Sequence, residues 1–116
     1  MAIYQKTTPK LYFDLPFRCD SMLECNIPFR QNGVVKFTKR IDSMSWTEDA
    51  PCRLYLKLSA QETALLEVNP YDPDASIVEA QLHIKFTKRP GESSSDIQAS
   101  KPIRIPVMEC FDIEVI

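Results

Sequence analysis

The side chains able to do chemistry are few, and their spacing does not suit them to it. The one histidine, His83, stands between Leu82 and Ile84. In a strand, successive side chains face opposite sides, so His83 turns outward with Lys85. Nothing in the sequence places a serine or cysteine nucleophile beside it, as a hydrolase would require within about 3 Å. Acidic residues cluster only at Glu48-Asp49 and Asp72-Pro73-Asp74. Asp72, Asp74 and Glu79 carry the oxygen ligands that Ca²⁺ prefers, but the spacing and central glycine of an EF-hand loop are missing. A solvated turn is the expectation there. With Gly33 and Gly91 as the only glycines, neither a phosphate loop nor a dinucleotide fingerprint can be built. Cys19, Cys25, Cys52 and Cys110 form no CxxC pair and have no histidine nearby, so the ligand pattern of a zinc site is absent. No metal or other cofactor is expected, and the chain reads as non-enzymatic.

What the sequence offers in place of a catalytic motif is a phrase used twice. Val35-Lys36-Phe37-Thr38-Lys39-Arg40 returns as Ile84-Lys85-Phe86-Thr87-Lys88-Arg89, changed only by a Val/Ile exchange. Six residues without a longer period do not make a solenoid repeat, and half-buried strands also converge on such patterns. Both copies are β-prone. Alternation turns Val35, Phe37 and Lys39 one way and Lys36, Thr38 and Arg40 the other. The second copy repeats this, with Ile84, Phe86 and Lys88 inward and Lys85, Thr87 and Arg89 outward. Each copy thus anchors an apolar residue and an aromatic in a core while holding cations toward water, which suits a surface for partners better than a pocket. A nucleic-acid platform needs aromatics and cations on the same exposed face. Here Phe37 and Phe86 oppose the cations, so nucleic acid is not an expected partner.

The elements around these copies are strands with little helix. Leu11 to Leu15 is a short strand interrupted by Pro16, and Met22 to Ile27 is a strand ending at Pro28. Gln31-Asn32-Gly33 is a turn, because Asn and Gly accept positive φ cheaply. From Cys52 to Leu58 the alternation is clean, with Leu54, Leu56 and Leu58 inward. Ser59 to Leu66 opens with a capping-box pattern, Ser followed three residues later by Glu. It is short for a helix and also alternates, so a turn entering a strand over Thr63 to Val68 is the expectation. Asn69 to Asp74 is a loop, Ala80 to Arg89 the second repeat strand, and Pro90 to Asp96 an exposed loop. Alternating strands follow at Ile103, Ile105 and Val107, and at Phe111, Ile113 and Val115. About seven short strands with frequent turns predict an all-β, immunoglobulin-like β-sandwich. Phe13, Phe37, Leu54, Leu56, Leu66, Ile84, Phe86 and Val107 are its expected core.

Composition agrees with a single domain over residues 1–116. Hydrophobic residues make up 44% and charged residues 26% of the chain, a globular balance. The formal net charge of −2 gives no global attraction to nucleic acid or anionic membrane. No run approaches the roughly 18 apolar residues of a membrane helix, so no membrane insertion is expected. The first ten residues lack the apolar core of a secretion signal. A cytoplasmic location follows as the expectation, and with it free thiols, since disulfides are rare in reducing compartments.

The order of these pieces resembles a known family. Lys10-Leu11-Tyr12-Phe13-Asp14-Leu15-Pro16-Phe17 is similar to the opening strand of the major sperm protein domain. Val34 to Arg40 stands where that family has an apolar strand leading into a Lys-Thr-Thr segment, and Pro51-Cys52 where it has a proline-rich turn. Ser59 to Val68 and Asn69-Pro70-Tyr71-Asp72-Pro73-Asp74 resemble the segments that follow. The resemblance implies a seven-stranded cytosolic sandwich without catalysis. Family members polymerise into sperm filaments or grip acidic peptides through a basic face. The sequence departs from the second mode, because Arg40-Ile41-Asp42 replaces the Lys-Thr-Thr segment and Asp42 would repel an acidic peptide.

The resulting expectation is a protein-protein interaction or self-assembly module, in a cytoskeletal or complex-scaffolding role, whose partner is another protein or a second copy. The alternative is a small structural protein of a virus or phage particle. Lys36, Arg40, Lys85 and Arg89 are the expected partner-binding cations, forming a basic stripe if the two copies lie close together. Trp46 is either a core residue or an aromatic anchor of the contact.

Overall fold

The computed structural model describes residues 2–15, 22–41, 53–86 and 96–109. Its strands are β1 (Ile3–Tyr4), β2 (Lys10–Asp14), β3 (Met22–Gln31), β4 (Val34–Ile41), β5 (Arg53–Lys57), β6 (Ile77–Ala80), β7 (His83–Phe86), β8 (Ile97–Ala99) and β9 (Ile103–Met108). A single turn of helix, α1 (Ala60–Ala64), and a 3₁₀ turn at Pro73–Ser76 interrupt them. Among the described residues, no helix is long and apolar enough to cross a membrane.

Two sheets result. The larger runs β1-β9-β6-β3-β7-β8, with β4 on the free side of β3; the smaller is the antiparallel pair β2-β5. β4 takes one edge of β3, so β6 and β7 must share the other, β6 beside Phe29–Gln31 and β7 beside Met22–Asn26. They are two pieces of one strand path, and β9 and β8 continue the break on the next path. Fusing the two broken pairs leaves seven paths. The order β9-β6-β3-β4 matches the G-F-C-C′ order of immunoglobulin-type sandwiches, and β2-β5 matches their B-E pair. The all-β sandwich expected from the sequence is the architecture found.

Alternation explains the core. Leu11 and Phe13 from β2, followed by Leu15, meet Leu54 and Leu56 from β5, followed by Leu58. Cys25, Ile27 and Phe29 from β3 close over them, with Val78, Ile84, Ile105 and Val107 in the same cluster. Asn32 (φ 52°) and Gly33 (φ 79°) form the two-residue turn between β3 and β4. That left-handed pair suits a hairpin turn whose twist matches its strands.

Four expectations need correction. First, β3 does not end at Pro28 but passes through it, pairing Pro28 with Thr38. Within an extended strand a residue's N–H and C=O point to the same side. The Pro28 carbonyl accepts from the Gln81 N–H at 3.4 Å, so its hydrogen-less nitrogen faces the gap between β6 and β7. A proline in a central strand is tolerated where its neighbour is already interrupted.

Second, the second copy is therefore not one strand from Ala80 onward. At Gln81-Leu82 the ladder gives way to Ser100, whose Oγ accepts the Leu82 N–H at 3.0 Å. Third, Thr63 to Val68 is not a strand. Ser59 caps α1 with both halves of the capping box, Glu62 N–H to Ser59 Oγ at 3.0 Å and Ser59 N–H to Glu62 Oε1 at 2.8 Å. Tertiary ties stabilise so short a helix: Thr63 Oγ1 donates to the Thr7 carbonyl at 2.8 Å, and Gln5 Nε2 to the Leu66 carbonyl at 2.6 Å.

Fourth, the alternation assigned to Val35 and Lys36 fails. Phe29 pairs with Phe37 and Arg30 with Val35, which makes Lys36 the extra residue of a β-bulge. Val35 is exposed and Lys36 half-buried, the reverse of the expectation. Phe37 and Phe86 are only partly buried and pack against the rim of the core, Phe37 stacking on Phe29 with centroids 4.7 Å apart.

Candidate interaction surface

The two copies of the repeated phrase do flank a single strand. β4 and β7 lie on opposite edges of β3, with Asn26 opposite both Arg40 and His83. The cations between them are nevertheless interleaved with acid. Glu24 points outward from β3, opposite Lys85 in register, and its Oε2 holds Arg40 Nη2 at 2.8 Å. Arg30 similarly meets Glu79 at 3.6 Å. Lys36, displaced by the bulge, reaches Glu67 at 3.3 Å. Lys39 reaches Glu62 at 3.0 Å. Burial raises the Glu62 pKa, but the Ser59 N–H and the Lys39 ammonium outweigh it and hold the carboxyl below its usual range. Lys36 and Arg40 thus separate, each with its own carboxylate. Trp46 and Arg89 lie outside the described residues.

The candidate chemistry is equally dispersed. His83 Nε2 is hydrogen-bonded to Gln81 Oε1 at 2.9 Å. Cys25 is a buried free thiol, its pKa pushed up to about 12 by that burial; the other cysteines lie outside the described residues. Among the described residues, no three His, Cys, Asp or Glu side chains are grouped to hold a metal ion.

A different surface combines aromatic rings with cations. On the small sheet, Leu11 and Phe13 point inward, so Lys10, Tyr12 and Asp14 point outward. Arg53, Tyr55 and Lys57 do the same on β5. Register sets these six side chains in three cross-strand rows: Lys10 beside Lys57, Tyr12 beside Tyr55, and Asp14 beside Arg53. The tyrosine centroids are 6.5 Å apart with planes tilted by 40°. Lys10 Nζ lies 5.0 Å from the Tyr55 centroid and 5.8 Å from that of Tyr12. The Arg53 guanidinium is 5.9 Å from the Tyr12 centroid and donates to Asp14 at 2.7 Å, a bond that raises the Arg53 pKa. Among the described residues, neither Lys10 nor Lys57 reaches a carboxylate.

No protein-family model, curated protein or solved structure matches the chain.

A pocket of about 570 Å³ opens at the rim of this face, between Lys10, Lys57 and Tyr55 on one side and Lys39 and Arg40 on the other. A larger groove of about 890 Å³ lies at the opposite end of the chemical range, lined by Tyr4, Val68, Pro70, Pro73, Pro106 and Met108 among others. Of the described residues expected to bind a partner, Lys36, Arg40 and Lys85, none lines that groove. The aromatic-basic face was half visible in the sequence, since Lys10-Leu11-Tyr12 and Tyr55-Leu56-Lys57 each alternate. Which strand lies beside which is a tertiary fact, and only the pairing of β2 with β5 brings the two tyrosines and two lysines together. Glu24 carries no local signal for the same reason, because its carboxylate matters only where β3 stands between the two copies.

Proposed function

We propose that this chain is a non-enzymatic protein-protein interaction or self-assembly module, a β-sandwich whose working surface is the outer face of β2 and β5. The observation that carries the reading is the cross-strand pair Tyr12–Tyr55 with Lys10 and Lys57 beside it. Tyrosine and arginine are the residue types that most often dominate interface energies. Unneutralised lysines add long-range steering of an acidic partner more than affinity. Lys36, Arg40 and Lys85 take a lesser part on this reading, because Glu67 and Glu24 stand against them. The resemblance to the major sperm protein domain supports a cytoskeletal or scaffolding role in the cytoplasm.

Light scattering coupled to size-exclusion chromatography, run over a wide concentration range at low salt, tests self-assembly. The expected result is a mass that rises above the 13.3 kDa of one chain. A strict monomer at every concentration removes the self-assembly form of the reading. Electron microscopy of the associated species separates the two settings, filaments fitting a cytoskeletal role and closed shells or rings a viral particle.

A further inference from the structure

The outer face of the small sheet has a counterpart elsewhere on the same chain. We propose that it receives the Tyr71–Asp74 loop of a second copy, with Asp72 and Asp74 set against Lys10 and Lys57 and the Tyr71 ring against Tyr12 and Tyr55. This rests on the assembly reading above and names its contact.

The loop presents what the face lacks. Tyr71 is 95% exposed, and among the described residues neither Asp72 nor Asp74 reaches a cation. Two acids and a protruding ring thus meet two unneutralised lysines and a pair of rings. Both acids are carried close together, Asp72 as the cap of the 3₁₀ turn and Asp74 within its first turn, just as Lys10 and Lys57 are directly opposed, a pairing that sets Cβ atoms about 5 Å apart. The loop is also held in shape before any contact. Asn69 Oδ1 accepts the Tyr71 N–H at 3.0 Å, and Asp72 Oδ1 accepts the Asp74 N–H at 3.1 Å. Ser76 Oγ accepts the Asn69 N–H at 2.8 Å, and Asn32 Nδ2 donates to the Ala75 carbonyl at 3.0 Å. A preorganised loop loses little conformational freedom on docking.

Within one chain as it is folded, the two halves sit on different parts of the molecule. The loop is tied to the β3–β4 turn at the end of the large sheet, whereas the face belongs to the small sheet, and no hydrogen bond or ion pair between described residues joins them. Mating is therefore between copies. Because the mating surfaces differ, the contact is heterologous and builds head-to-tail, into a ring or an open filament. On the large sheet, Arg40 and Arg30 are already held by Glu24 and Glu79.

Charge reversal and mixing test the contact. In sedimentation velocity at low salt, Lys10→Glu/Lys57→Glu and Asp72→Lys/Asp74→Lys should each weaken association at least tenfold. An equimolar mixture of the two variants should restore it, because each variant's face then opposes the other's loop. Salt near 0.5 M should weaken the wild type, as exposed charges are screened. Circular dichroism melts check that both variants fold; if a reversal does not fold, the neutral Lys10→Gln/Lys57→Gln variant gives the same readout. Unchanged association in both variants overturns this contact but leaves assembly standing. A wild type that is monomeric throughout overturns both. Tight binding of a fluorescent oligothymidine or oligo-glutamate, lost in Lys10→Glu/Lys57→Glu while self-association persists, assigns the face to another occupant and overturns the proposal.

Discussion

The two copies of the repeated phrase are almost the same peptide in two different surroundings. In the second copy, Ile84 is 5% exposed and its strand is paired on both sides, with β3 and with β8. In the first, Val35 is 53% exposed, its strand pairs with β3 alone among the described residues, and a bulge at Lys36 breaks the alternation. The second copy is held by backbone ladders and by the core. The first is held by side chains that reach across to the segment after β5: Lys36 to Glu67, Lys39 to Glu62, and, from the partner strand, Gln31 to the Glu67 backbone. Where both copies are described, Val35 to Phe37 and Ile84 to Phe86, near-identical residues thus do two jobs, and neighbours, not the motif, decide which.

Truncation at equivalent positions should expose that difference most strongly. Ile84→Ala should cost about 2–5 kcal/mol in urea denaturation, the range for deleting a buried aliphatic side chain. A cost under about 1 kcal/mol would mean that the second copy is not the buried one.

The next largest effect is expected at Gln31. This buried side chain donates from Nε2 to the Glu67 carbonyl and accepts the Glu67 N–H at Oε1, both at 2.7 Å. Gln31→Ala leaves two backbone groups unpaired, at about 1–3 kcal/mol for a buried unsatisfied group. Equilibrium unfolding measures it directly, and slower-exchanging Glu67 amide protons in the variant than in the wild type would contradict the assigned bond.

Lys39→Met tests the side-chain ties at smaller scale, with a loss of about 0.5–1 kcal/mol near neutral pH. Its pH dependence follows from Glu62, whose folded pKa lies below the unfolded value of about 4.3. Between those two values the unfolded state binds more protons, so stability rises with pH there. The contribution is fully present above the unfolded value and lost as pH falls through the folded one. Wild type and Lys39→Met should therefore differ at pH 7 and converge in strong acid.

Val35→Ala should be nearly silent, within about 0.5 kcal/mol. A loss matching that of Ile84→Ala would erase the distinction between the copies.

Much of the fold was legible because local rules agreed with global ones. Leu54, Leu56 and Leu58 alternate in a strand that does nothing unusual, and all three are buried. Asn32-Gly33 has the chemistry of a tight turn and forms one. The rest needed information that a one-dimensional pattern does not hold. Ser59 and Glu62 signalled a helix, but alternation over the same residues signalled a strand. Contacts with Thr7 and Gln5, distant in sequence, accompany the helical outcome. The bulge at Lys36 leaves no local mark, and it shifts every inward-outward assignment before Phe37. The candidate surface was hidden in the same way, since Tyr12 and Tyr55 are 43 positions apart in the chain and meet only through register.

The proline in β3 divides the large sheet in a way that bears on motion. Opposite Pro28 the next path breaks at Gln81-Leu82, and beyond it the following path breaks around Ser100. Aligned interruptions of this kind act as a crease. On one side lie β7 and β8 with the first half of β3; on the other lie β6, β9 and β1 with its second half. Among the described strands, β3 and β4 cross from panel to panel. The sheet can therefore flex about that line with less disruption of its ladders than an unbroken sheet would suffer, adjusting the angle between two stiff plates while the spine that joins them stays intact.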